Sequence, residues 1–307
     1  MGTANVSPAA FQSYLMGVKS PTTAKRYAEY AAVFLGVMQK SGYKSFAQLP
    51  PGMLSEFASQ LRKQGNSPST VRVYIFAAKK YLEWVSSSGV KVTPQNRPDL
   101  PNVTISHREV LPPELFTKYF QQADQELKEP LRTAVMLLPC CGLRASELTG
   151  LKLEQIHKAD VRMQKNKTKK TLFLRFTGKG GKERNVPLME EGVEILVGYL
   201  NGWRKRQRGG WLFPSISNEN REGLRHISTR GLRNAVQRLR EPLGMDITPH
   251  MMRRTYITTL WRRKVDLNVI RQIAGHANIQ TTINHYIIMD SNDSLEAFHN
   301  AGGALTD

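Results

Sequence analysis

Within its first ninety residues the chain uses the same helix start twice. The segment Ser20-Pro21-Thr22-Thr23 returns as Ser67-Pro68-Ser69-Thr70. At the same offset, Tyr27, Ala31, Phe34 and Leu35 are matched by Tyr74, Ala78, Tyr81 and Leu82. Serine is a natural N-cap, and proline suits the first helical position because its missing N–H has no partner there anyway. The apolar residues that follow recur at three- and four-residue steps, the period of a helix with one buried face. Gly42 and the Pro50-Pro51-Gly52 cluster break the chain between the two starts. Residues 1–90 therefore predict a small, all-helical bundle.

From Ser86 to Pro113 the composition shifts to serines, Gly89 and prolines 94, 98, 101, 112 and 113, with no sustained period. That predicts a linker of extended character over residues 91–113. A second domain follows over residues 114–307. It opens with two helices between 114 and about 142. Thr171 to Phe176 alternates as a strand does, and a Gly/Lys-rich turn leads into Asn185-Val186-Pro187-Leu188, which predicts a β-hairpin. From Glu190 onward the pattern is mostly helical, with turns at Gly209-Gly210, near Pro214 and at Gly244. The expected fold class is mainly α, with a small antiparallel sheet confined to the second domain.

Charge narrows the partner. Lys and Arg outnumber Asp and Glu by 44 to 25, a formal charge of +19 over 307 residues. Such an excess repels itself unless a polyanion offsets it, which points to nucleic acid before an anionic membrane surface. No apolar run has the length of a spanning helix, and no basic start leads into an apolar signal core, so the chain reads as soluble and cytoplasmic. Its two cysteines, Cys140 and Cys141, are adjacent in an apolar run. They read as core residues, not as a disulfide or a metal site.

Four clusters carry chemistry. In Cys141-Gly142-Leu143-Arg144-Ala145-Ser146-Glu147-Leu148, Gly142 suits a helix end and Arg144 and Glu147 lie one helical turn apart. Alone, that pair is an ordinary solvated ion pair. Thr177-Gly178-Lys179-Gly180-Gly181-Lys182-Glu183-Arg184 places Lys179 at the tip of the hairpin, where a solubilising turn is the plain alternative. Yet the span from Lys158 to Arg184 holds ten Lys or Arg, among them Lys165, Lys167, Lys169, Lys170, Lys182 and Arg184, against Asp160 and Glu183. That bias suits a finger laid along a phosphate backbone. In Thr248-Pro249-His250-Met251-Met252-Arg253-Arg254, Thr248 can cap a helix starting at Pro249. His250 and Arg253 then share one face near the positive end of the helix dipole, where a phosphate oxygen or a purely structural role are both open. The last cluster runs from Ile273 through Gly275-His276 to His285-Tyr286, where Gly275 ends a helix and Tyr286 is either core or functional.

Taken in order, these clusters resemble the tyrosine recombinase (phage integrase) family, in its minimal two-domain form. The match is Gly-Leu-Arg-x-x-Glu-Leu at 142–148, Gly-Lys-Gly-x-Lys-x-Arg at 178–184, His-x-x-Arg at 250–253, Gly-His at 275–276 and Tyr286. It covers residues 110–290, and the helical repeat before it is similar to that family's core-DNA-binding domain. The resemblance implies a clamp around double-stranded DNA bearing a specific recombination site. It implies Tyr286 as a nucleophile forming a 3′-phosphotyrosine, Arg144 and Arg253 on the non-bridging oxygens, and Lys179 protonating the departing 5′ oxygen. His250 would assist proton transfer at the tyrosine, His276 would hydrogen-bond the phosphate, and Glu147 would orient the arginine and histidine side chains. The DNA-contacting set would comprise Lys165, Lys167, Lys169, Lys170, Lys182, Arg184 and Arg254. No metal ion or other cofactor is implied. A homotetramer on DNA, monomeric when free, would exchange strands through a Holliday junction, associated with the nucleoid in a bacterium or archaeon.

Three features depart from the family pattern. Arg254-Thr255 follow the His-x-x-Arg motif where a histidine and a Ser or Thr are usual, and Ala274 replaces a leucine before Gly275-His276. One extra residue separates His276 from Tyr286, putting His285 where the tyrosine commonly stands. Tyr256, too close to the His-x-x-Arg motif to be the nucleophile, is expected in the core. The tail over about 291–307, with Leu295 and Phe298, would either fold onto its own domain or dock in a neighbouring subunit. Two other readings share these residues: a type IB topoisomerase-like enzyme that relaxes DNA, and an inactive DNA-binding relative.

Overall fold

A computed structural model describes residues 5–98, 100, 109–162, 168–177, 183–216 and 225–275. Two compact units divide the chain, Met1–Thr104 and Ile105–Asp307. The first contains α1 (Pro8–Met16), α2 (Pro21–Lys40), α3 (Met53–Lys63) and α4 (Pro68–Ser87), with one 3-10 turn at Phe46–Gln48. Both repeated starts are N-caps: Ser20 Oγ accepts from the Thr23 amide at 3.3 Å, and Ser67 Oγ from the Thr70 amide at 3.2 Å. Ser7-Pro8 begins α1 in the same way, a third use of the device.

Ala24, Ala31 and Phe34 of α2 meet Val71, Ile75, Ala78 and Tyr81 of α4 in one core, with Tyr27, Leu35 and Tyr74 packed at its edge. Alanines at the crossing let the two backbones approach closely. The aromatic rings then fill the ends, Phe11 meeting Tyr81 edge-on at 5.2 Å. Each large side chain so buried contributes about 1.5–3 kcal/mol. The first part of the expected linker docks on this unit: the Thr93 amide donates to Phe46 O and the Asn96 amide to Pro51 O, at 3.1 and 2.8 Å.

The second unit begins with α5 (Phe116–Glu126), α6 (Leu131–Cys141) and α7 (Ala145–Thr149). A three-stranded antiparallel sheet follows, in the order β1 (Ile156–Arg162), β2 (Thr168–Thr177) and β3 (Glu183–Pro187). The expected hairpin is β2–β3, in a register that sets Phe176 opposite Arg184 and Leu174 opposite Val186. Strand β1 was not anticipated from the sequence. Leu172, Leu174 and Val186 put the sheet's apolar face into the main core of this unit.

Helices α8 (Glu190–Asn201), α9 (Thr229–Arg238), α10 (Arg240–Leu243), α11 (Pro249–Arg262) and α12 (Leu267–Ala274) complete the described part. The turn at Gly209-Gly210 is held by Arg204, 4% exposed, which donates to the carbonyls of Gln207, Gly209 and Trp211. Cys140 and Cys141 are buried and unpaired as disulfides, in keeping with a core role. Burial raises the Cys141 thiol to about 12.

Candidate active site

Helix α6 ends at Gly142, whose left-handed backbone (φ 59°) turns the chain and lets α7 start three residues later. Arg144 caps α7, and the Glu147 carboxylate reaches back to accept from the Arg144 amide at 2.9 Å. The same carboxylate holds three guanidinium groups: Arg144 at 2.8 Å, Arg184 at 2.9 Å and Arg253 at 3.8 Å. The solvated pair expected from spacing alone is thus a hub. Burial by itself would raise the Glu147 carboxyl. The Arg144 amide and the Arg184 and Arg144 charges outweigh that and hold it below its ordinary value.

Thr248 caps α11, its Oγ1 accepting from the Met251 amide at 3.1 Å, with Pro249 first in the helix. His250 is exposed at this N-terminus. Arg253, one turn on, is only 1% exposed. Its Nη1 donates to Gly142 O at 2.8 Å and its Nη2 to Ala274 O at 2.6 Å, so it joins the C-terminal ends of α6 and α12 to α11. A guanidinium between two helix C-termini meets carbonyls that have no partner within their own helices.

Arg144, His250 and Arg253 line one cavity of about 610 Å³, together with Thr229, Arg233 and Thr248. Its wall of cations and a helix N-terminus suits an anion of phosphate size. Thr229 and Arg233 were missed in the sequence. Leu232, Ala235 and Val236 mark α9 as amphipathic, but nothing local says that its polar face borders Arg144.

The other expected residues fall as follows. Arg184 turns inward: its side chain is 15% exposed, and its guanidinium sits 5.1 Å from the Phe176 ring. The Arg184–Glu147 contact has ion-pair length but is off line for a hydrogen bond. Arg254 Nε and Nη2 both donate to Glu109 O, at 3.0 and 2.9 Å, while Thr255 Oγ1 accepts from the Leu111 amide at 2.8 Å. The departure from the family pattern at Arg254, together with the usual hydroxyl at Thr255, thus ties residues 109–111 to α11. Lys169 and Lys170 lie on β2 opposite Val161 and Asp160, and Lys170 is exposed. Tyr256 is core, 1% exposed, its hydroxyl donating to Pro187 O at 2.7 Å. Lys165, Lys167, Lys179, Lys182, His276, Tyr286 and the tail at 291–307 lie outside the described residues.

A helical unit precedes a mixed unit whose arginines converge on one carboxylate beside a cationic cavity, and comparison with known proteins places that combination. Residues 110–292 match the phage integrase family, and residues 9–89 match the phage integrase N-terminal SAM-like domain. The chain belongs to the phage integrase family. It is 28% identical over 275 residues to the tyrosine recombinase XerA of Pyrococcus horikoshii, covering 89% of this chain and 85% of the relative. It is also 28% identical over 254 residues to the tyrosine recombinase XerD of Listeria innocua, covering 79% and 80%. Among solved structures, XerH recombinase bound to its difH substrate shares the fold with a TM-score of 0.65 at 21% identity, over 91% of this chain and 78% of that one. A lambda integrase dimer on a core site does so with a TM-score of 0.66 at 14% identity, over 92% and 96%.

Proposed function

We propose that this chain is a site-specific DNA recombinase in which Tyr286 attacks the scissile phosphate. The observation that carries this reading is the convergence of Arg144, His250 and Arg253 on one cavity, with Glu147 holding both arginines. In attack, the tyrosine oxygen forms a bond to phosphorus and the bond to the 5′ oxygen breaks. Negative charge grows on the non-bridging oxygens, so fixed cations stabilise the transition state more than the ground state. Arg144 presents the planar fork that suits such an oxyanion, with Arg253 in the cavity wall behind it. His250 takes the tyrosine proton, Lys179 supplies one to the 5′ oxygen, and His276 hydrogen-bonds the phosphate. The 3′-phosphotyrosine keeps the bond energy, and reversal by a new 5′ hydroxyl rejoins the strand.

The partner is double-stranded DNA carrying a specific site. The working assembly is a homotetramer on two duplexes that passes through a Holliday junction, with free protein monomeric. Lys165, Lys167, Lys169, Lys170 and Lys182 would lie along the phosphate backbone. Family membership and the excess of 44 basic over 25 acidic residues support this reading. Among the described residues no helix is long and apolar enough to cross a membrane. A cytoplasmic, nucleoid-associated location follows from the proposed substrate.

The test uses a nicked suicide duplex carrying a site selected by binding from a random-sequence pool. Wild type should give a covalent protein–DNA adduct, and Tyr286→Phe none. An adduct with Tyr286→Phe would move the nucleophile elsewhere, to His285 or another residue. Relaxation of supercoils without any recombinant product would make the enzyme a DNA-relaxing one instead. Binding should also weaken steeply with salt, by about 1,000-fold or more between roughly 50 and 200 mM if six or more phosphates are neutralised. A loss below about tenfold would contradict a basic grip on the backbone.

A further inference from the structure

Two of the sequence clusters meet through one side chain. Arg184 stands on β3 opposite Phe176 and lies over that ring, so its direction is set by the pairing of β2 with β3. From there the guanidinium reaches Glu147 on α7 at 2.9 Å. Its other neighbour is the backbone of Gly275, the left-handed cap of α12 (φ 66°). A Cβ at residue 275 would lie 2.1 Å from Arg184 Nη1 and 2.9 Å from Cζ. The end of an arginine normally yields to such a contact. Here Glu147 on one side and Phe176 on the other leave it little room, so only glycine fits against it.

We propose that Arg184 is a positioning residue for strand cleavage: from the hairpin it fixes the Glu147 carboxylate between Arg144 and Arg253 and seats the backbone at Gly275. Strand β3, α7 and α12 are thereby registered on one guanidinium. The residue before the Gly275-His276 step, Ala274, offers its carbonyl to Arg253, so both arginines brace the same helix end. Glu147, with Arg144, Arg184 and Arg253 around it, then acts as a fixed anion that aims two cations at the phosphate. Arg184 touches no reacting atom in this role. The glycine of the Gly-His motif is accounted for by what packs on it as well as by its backbone angle. This inference rests on the recombinase reading above.

The test compares wild type, Arg184→Ala, Arg184→Lys, Gly275→Ala and the Arg184→Ala/Gly275→Ala double variant, in single-turnover cleavage of the suicide duplex and in duplex binding. Arg184→Ala should lower the cleavage rate about 100-fold, the loss a displacement of about 1 Å can cause. Its duplex affinity should stay within about threefold of wild type, since the phosphate-contacting lysines are untouched. Arg184→Lys should recover about tenfold of the lost rate, because an ammonium still pairs with Glu147 but cannot lie flat between Phe176 and Gly275. Gly275→Ala should be severe in the wild-type background and add only the smaller cost of its left-handed backbone in the Arg184→Ala background, a non-additivity expected of groups in contact. The same cycle in urea unfolding should show the same coupling. Wild-type cleavage by Arg184→Ala, or additive effects of the two substitutions, overturns the proposal and leaves the recombinase reading intact. Absence of an adduct from wild type removes that reading, and the positioning role with it.

Discussion

Arg253→Ala is expected to destabilise the 105–307 unit by about 3–5 kcal/mol, the usual loss when one partner of a buried charged cluster is removed. Cleavage should fall by at least 100-fold, the typical cost of losing one oxyanion-stabilising donor. The stability loss comes from two buried bonds. Arg253 Nη1 and Nη2 satisfy the carbonyls of Gly142 and Ala274, and alanine would leave both without that partner at the ends of α6 and α12. The Glu147 carboxylate would also lose one of its three guanidinium neighbours. Arg253→Lys separates the two effects. It keeps the charge but offers no planar fork, so it should regain part of the stability while cleavage stays low. Urea unfolding and adduct formation measured on both variants decide the matter. Arg253→Ala with wild-type stability would show that the buried bonds contribute nothing.

Gly142→Ala should destabilise by a similar amount for a different reason. The backbone at 142 is left-handed, and alanine there costs about 1–2 kcal/mol. Its Cβ would also lie 2.3 Å from Cδ1 and 2.8 Å from Cγ of Tyr256. That ring is 1% exposed and its hydroxyl is bonded to Pro187 O, so it cannot swing aside without losing the bond. Overpacking of this kind costs about 1–3 kcal/mol more. Since the Gly142 carbonyl receives Arg253 and Arg144 stands two residues on, cleavage should fall with stability. On a Tyr256→Ala background the same substitution should cost only the backbone strain. An equal cost in both backgrounds would show that the ring contact is not the cause.

These two residues mark where local sequence stopped being informative. Gly142 read as a helix end because glycine's tolerance of positive φ is a local property, and α6 does end there. The tyrosine packed on it comes from more than a hundred residues away, and no local pattern names it. The capped start at Thr248-Pro249 was legible for the same local reason. Strand β1 was not: Ile156–Arg162 is largely polar and charged, and its place in the sheet comes from pairing with β2.

Arg184 shows the limit most clearly. A lysine-rich turn suggested that every cation in it faces a phosphate backbone. The β2–β3 register instead sets this one over Phe176 and against Glu147. Arg254 was likewise expected on DNA and donates to the Glu109 carbonyl. Thr229 and Arg233, which share the cavity with Arg144, carried no motif at all.

By itself the sequence determined what short-range chemistry can specify: helix starts at Ser20, Ser67 and Thr248, helix ends at Gly142 and Gly275, the hairpin, and a charge that calls for a polyanion. The order of its clusters also pointed to the family. Only the tertiary structure decided which cations serve the cavity and which serve the fold. An arginine carries the same charge wherever it stands. Its role is set by the distant carbonyl, carboxylate or ring that packing brings within reach, as Gly142, Ala274 and Glu147 do for Arg253.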